Sequence, residues 1–110
     1  MFVRWKKRTL RRGGGRVLYA VVVRSHRIDG RVKQQVLAHL AHIKEKHLTA
    51  PVHQEWFWQR VDWRLEEMQL APAVRGRIVE KLVMIVPRPP ARGSAEWEAA
   101  EIACVRTLGL

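Results

Sequence analysis

Eleven of the first 33 residues are lysine or arginine (Arg4, Lys6, Lys7, Arg8, Arg11, Arg12, Arg16, Arg24, Arg27, Arg31 and Lys33), against one acid, Asp29, for a net charge of +10. The other 77 residues hold ten basic and nine acidic side chains and contribute only +1. Guanidinium groups grip phosphate oxygens in pairs and ammonium groups attract them as point charges. The chemistry open to this segment is therefore non-covalent capture of a polyanion. Charge carried only for solubility is spread and mixed in sign, whereas a field this lopsided points to a nucleic-acid backbone. Gln34 and Gln35, directly after this segment, add amides that can pair with base edges. An anionic membrane surface fits less well, because the basic segment has no amphipathic helix with an apolar side.

Other chemistries find no support in residue types and spacing. There is no G-x-S-x-G, no Cys–His pair at a recognisable spacing and no P-loop; Gly13–Gly15 lacks the Lys-Ser/Thr and following helix of a phosphate cradle. Asp29 is accounted for by a turn, and Glu66-Glu67 reads as a solvated helix face. His39, His42, His47 and His53 lie close in sequence, but the only thiol is the distant Cys104 and the spacing fits no zinc pattern. The expectation is a protein that is not an enzyme, with no cofactor and no metal.

The elements that must position the cations centre on Arg16–Leu40. Asp29-Gly30 between two apolar-rich runs is a strong signal for a two-residue β-hairpin. Strands are expected at about 2–8, 16–24 and 31–39. Three successive glycines make Thr9–Gly15 a mobile loop with Arg11 and Arg12 at its centre. The alternation suggests that Val3, Trp5, Val17, Tyr19, Val21, Val23, Val32 and Val36 face the core. The opposite face then shows Arg4, Lys6, Arg8, Arg16, Arg24, Arg31, Lys33 and Gln35 together.

Ala41 to Leu48 reads as one or two helical turns. Thr49 is then the expected cap of a helix over about 50–69, with Pro51 in its first turn. Phe57, Trp58, Val61, Leu65 and Met68 form one apolar stripe on that helix, and Val52, Trp56, Trp63 and Leu70 form a second. Two stripes imply two contacts: the helix sandwiched between sheet and next helix, or the tryptophan stripe meeting another chain. Pro72 opens a helix over about 73–86, ended by Pro87-Arg-Pro-Pro90. Ser94 caps a last helix over about 95–106, docked by Trp97, Ile102 and Val105, and Leu108 to Leu110 reads as a loose tail. The expected class is α+β, a three-stranded antiparallel sheet packed by two to three helices. The 110 residues form one domain, with a basic sheet part at 1–41 and a helical part at 42–110.

A lone cysteine excludes an internal disulfide and fits a reducing compartment. No apolar run approaches the about 18 residues of a membrane span. The run from Val17 to Val23 is short, flanked by glycines and arginine, and followed by no small-residue cleavage site. A cytoplasmic protein with nothing removed is expected, and no membrane partner.

Residues 1–41 resemble the N-terminal segment of DDE-type insertion-sequence transposases. The resemblance rests on Met1-Phe2-Val3-Arg4, on the strand ending Val21-Val22-Val23-Arg24-Ser25, and on Gly30-Arg31-Val32-Lys33-Gln34-Gln35-Val36-Leu37-Ala38-His39-Leu40-Ala41. Gln35, Val36, His39 and Ala41 depart from the family pattern. It implies a mobile-element origin and a hairpin domain that contacts nucleic acid. It does not imply transposition, because residues 41–110 are far too short for that family's catalytic core.

Three functional expectations follow. In the first, the hairpin face contacts duplex DNA through Arg4, Lys6, Arg8, Arg11, Arg12, Arg16, Arg24, Arg27, Arg31, Lys33 and Gln35. In the second, the protein is an RNA-binding subunit of a ribonucleoprotein, with Val52, Trp56, Trp63 and Leu70 docking a protein partner or a second copy. In the third, it is a phage or mobile-element inhibitor of a host nucleic-acid-processing effector.

Overall fold

A computed structural model of the chain describes residues 1–108, with side chains described for residues 1–105. Strands β1 (Phe2–Thr9), β2 (Arg16–Ile28) and β3 (Arg31–Lys44) form one antiparallel sheet in the order β1-β2-β3. A single 3₁₀ turn at Glu45–His47 leads to helices α1 (Pro51–Met68), α2 (Pro72–Val83) and α3 (Ala95–Leu108). This is the expected α+β class. β2 and β3 run well past their expected ends, to Ile28 and Lys44, and β3 consumes part of the stretch read as helical. Of the tail expected to be loose, residues 109–110 lie outside the described residues.

Cross-strand register decides which side of β2 meets the helices. Val3 pairs with Val22 and Trp5 with Ala20; on the other ladder Ala38 pairs with Val22, Ala41 with Ala20 and Ile43 with Leu18. Leu18, Ala20 and Val22 therefore join Val3, Leu40 and Ile43 against Phe57, Trp58, Val61 and Leu65 of α1, Ile78 and Leu82 of α2, and Val86. The expected core face, Val17/Tyr19/Val21/Val23, is turned away from the helices, although Val17, Val21 and Val23 are themselves buried. It pairs with Arg8, Lys6, Arg4 and Phe2 on the outer side of the sheet. β2 is apolar on both faces over this stretch, so alternation alone gives no sign. Val32 and Val36, also expected inside, are exposed.

Two β-bulges explain why β3 defeats a simple alternation. Its register slips between Ala20 and Val21, where Leu40 is the extra residue, and between Val22 and Val23, where Leu37 is. A bulge re-aims the side chains beyond it. Leu40 and Leu37 both reach the core, and Val36 and Ala38 end on opposite faces. Arg64 of α1 donates its Nε–H to the His39 carbonyl at 3.1 Å, fastening the helix to this irregular stretch.

The helical layer is held by few but specific bonds. Ala50, not Thr49, is the N-cap residue of α1, with no side-chain cap; Gln54 instead donates Nε2 to the Leu48 carbonyl at 2.6 Å, satisfying the preceding turn. Buried Trp58 donates its indole N–H to the carbonyls of Val86 and Pro87, at 3.1 and 3.2 Å. Arg88 lies 3.9 Å over the same ring and forks onto Asp62. Together these contacts strap the proline-rich linker onto α1. Ser94 caps α3 as expected, accepting the Trp97 N–H at 3.1 Å. Trp97 is buried, but Ile102 and Val105, expected to dock this helix, are largely exposed. Among the described residues no helix is long and apolar enough to cross a membrane.

Candidate nucleic-acid interface

β1 stops pairing at Phe2↔Val23, while β2 and β3 continue together from Arg24↔Gln35 to Ile28↔Arg31. Residues 24–35 therefore form a two-stranded arm beyond the three-stranded sheet, roughly 17 Å long at about 3.4 Å per residue. Asp29 and Gly30 turn it, with φ of 52° and 77°. Positive φ at both central residues is what a type I′ hairpin requires and what Asp-Gly supplies. The whole arm is exposed except half-buried His26. It carries Arg24, Arg27, Arg31 and Lys33 against the single acid Asp29. Register puts Arg24, Arg31, Lys33 and Gln35 on one side of the ribbon and Arg27 with Gln34 on the other.

The cations are not gathered on one plane as the sequence suggested. Arg4, Lys6 and Arg8 lie on the outer face of the sheet with Val21, Tyr19 and Val17. Arg16 and Arg24 belong to the helix-bearing face, Arg24 beyond the helices on the arm and Arg16 at the opposite end of β2, 3.6 Å from Glu45. Arg11 and Arg12 occupy the β1–β2 turn, also at the end remote from the arm. That turn is tighter than its glycines suggest: Leu10 N–H bonds the Gly15 carbonyl at 2.7 Å, and a Cβ on Gly14 would sit 2.9 Å from the Leu10 Cβ.

Carboxylates sort the arginines into two populations. In the helical half, Arg64 pairs with Glu67, Arg75 with Glu66, Arg88 with Asp62 and Arg92 with Glu55, each at 2.8–2.9 Å. Of the eleven cations in residues 1–33, Arg16 alone has a carboxylate within ion-pair distance among the described residues. Arg4 and Arg24 bond neutral partners instead, Gln34 at 2.8 Å and Gln35 at 3.2 Å. Among the described residues, the arm's cations thus have no carboxylate within ion-pair distance.

A second feature lies where the other end of β3 meets α1. A cleft of about 560 Å³ is lined by Leu10, Val17 and Tyr19, by residues 41–44, and by His47, His53, Trp56, Phe57 and Arg60. His47 and His53 stack face to face with ring centroids 3.6 Å apart, and the His53 ring stands edge-on to Trp56 at 5.2 Å. Partial burial lowers the His47 pKa, helped by His53, Lys46 and Lys44; burial and then Lys44 and Lys46 lower that of His53. Among the described residues no group of three or more His, Cys, Asp or Glu forms a metal-sized cluster.

The second α1 stripe does not act as one contact. Leu70 packs against the core and Val52 lies near Cys104 of α3, but Trp56 and Trp63 are 57% and 54% exposed. The sandwich reading of this helix therefore does not hold for its tryptophans. Arg60 lies 5.8 Å from the Trp63 ring centre. The signal for grouping these three was available: positions 56, 60 and 63 follow the i, i+4, i+7 rule for one helix face. Tyr19, His42 and His47 had no such signal, because only the tertiary fold brings them to α1; His53, three residues before Trp56 on that helix, shares its face.

The chain matches no protein-family model, no curated protein and no solved structure.

Proposed function

We propose that this protein is a non-catalytic nucleic-acid-binding protein that engages duplex DNA with the β2–β3 arm. The observation that carries the reading is the arm itself: four exposed cations without a carboxylate partner, on a ribbon that projects past the third strand. A two-stranded ribbon fits the major groove of B-form DNA, about 12 Å wide. Arg24, Arg27, Arg31 and Lys33 hold phosphates on either side, and Gln34 and Gln35 supply amides toward base edges. A-form RNA has a deep, narrow major groove that would reject the ribbon, so duplex DNA is favoured. Arg4, Lys6 and Arg8 on the outer sheet face extend the cationic surface; Arg11, Arg12 and Arg16 are remote from the arm and add long-range attraction. The resemblance of residues 1–41 to transposase N-terminal segments gives this reading a mobile-element setting.

The test is binding of a 20-base-pair DNA duplex, followed by anisotropy, with duplex RNA as competitor. Replacing Arg24, Arg27, Arg31 and Lys33 together by alanine is expected to abolish binding without changing the melting temperature materially. An arm variant that binds as tightly as the parent contradicts the proposal.

A further inference from the structure

Two tryptophans more than half exposed on one helix face are costly to leave in water, because each ring carries a large apolar surface. Here they stand in an aromatic and cationic setting. Trp56 adjoins the stacked His53–His47 pair, and across the cleft Tyr19 and His42 lie 5.5 Å apart as cross-strand neighbours. Lys6 is the next residue in that rung, opposite Tyr19. Lys44 lines the cleft, and Arg60 lies between the two tryptophans.

Among the described residues, no carboxylate lines the cleft. All four acids of α1 are turned to other uses: Glu55, Asp62, Glu66 and Glu67 are each held by an arginine. Arg60 has no carboxylate among the described ion pairs. The surface therefore offers ring faces and positive charge together, complementary to a ligand that is both aromatic and anionic.

We propose that this cleft, with the adjoining α1 face that carries Trp56, Gln59, Arg60 and Trp63, binds unpaired bases of a single-stranded nucleic acid, stacking them on Trp56 and Trp63 while Arg60, Lys44 and Lys6 follow the phosphates. Bases in a duplex present only their edges, so ring-face contacts of this kind select single strands. The cleft's volume is within the range of sites that accept a group the size of a nucleotide. An acidic protein segment would satisfy the charge but leave the ring faces with no planar partner. The inference rests on the nucleic-acid reading above but on a different surface, so the two can fail separately.

The experiment titrates the full chain with fluorescein-labelled 15-mers of thymidylate and of uridylate and, separately, with the 20-base-pair duplex. Tryptophan emission is recorded alongside anisotropy. Binding of both 15-mers with quenching is expected if the site accepts either sugar; binding of one alone still supports the site and names its source. Trp56→Ala is expected to weaken 15-mer binding by about 5- to 100-fold, the range for loss of one stacked base, while duplex affinity stays within about twofold. Trp56→Phe should recover most of the loss. The arm variant should show the reverse pattern. If Trp56→Ala weakens both ligands equally, or neither, or if poly-glutamate displaces the 15-mer as well as unlabelled thymidylate does, the single-strand site is refuted. Trp56-dependent 15-mer binding in a protein that ignores duplex would uphold this site and overturn the arm.

Discussion

The Arg4 guanidinium, on β1, donates to the Gln34 side-chain oxygen, on β3, at 2.8 Å. Between them lies β2, where Val21, the register partner of Arg4, and Val23 are 0% and 1% exposed although both lie outside the core cluster that the helices complete. A long cationic side chain can cover apolar surface with its methylenes and keep its charge in water. Arg4→Ala is therefore expected to destabilise the fold by about 1 kcal/mol, the order of one buried methylene. Arg4→Met, which keeps the stem, should recover most of it. Urea denaturation of both variants distinguishes cover from charge.

Trp58 ties the proline-rich linker to α1 with two bonds, and Arg88 ties it again through Asp62. The indole is buried, whereas the Arg88–Asp62 pair is about half exposed. Removing a buried donor leaves the Val86 carbonyl unsatisfied, so Trp58→Phe should cost about 2 kcal/mol or more. Asp62→Asn should cost no more than about 1 kcal/mol, as for other exposed pairs. Equal losses in urea melts would contradict this ranking.

At the tip of the arm, a Cβ on Gly30 would meet nothing within 4 Å, yet its φ is 77°. The penalty of a substitution there is conformational rather than steric, about 1–2 kcal/mol. Gly30→Val is expected to accelerate amide exchange in residues 24–35 and leave the exchange of Val22, Val61 and Leu82 unchanged. Loss of protection across the whole sheet would show that the arm is not a local unit.

The His47–His53 stack has a pH signature. Both pKa values lie below the ordinary 6.5, chiefly through burial; His53 and then the lysines add to this at His47, and Lys44 and Lys46 at His53. An imidazole harder to protonate in the folded chain than in the unfolded one makes the unfolded state the better proton acceptor. Stability is then complete above about pH 6.5 and falls as the pH drops toward the folded values. The melting temperature should decline between pH 7 and pH 5, and less so in His53→Asn. A melting temperature that rises on acidification would contradict the sign.

The legible parts of this molecule were those set by local chemistry. Asp29-Gly30 marked the hairpin, Pro51 and Pro72 the helix starts, Ser94 a cap, and charge counting placed the excess in the sheet half. The illegible parts depend on partners distant in sequence. With valines on both faces of β2, only pairing to Val3 and Trp5 determines which face meets the helices. The bulges at Leu37 and Leu40 reverse the parity of β3 without any glycine or proline to announce them.

The salt dependence of duplex affinity tests the central claim most directly. About four phosphate contacts from the arm alone require log K to fall with log[salt] at a slope of about −3.5 or steeper. Arg24→Ala combined with Arg31→Ala should flatten that slope by about 2. A parent slope shallower than about −1, or one that the double variant leaves unchanged, would contradict the arm as the DNA-binding element.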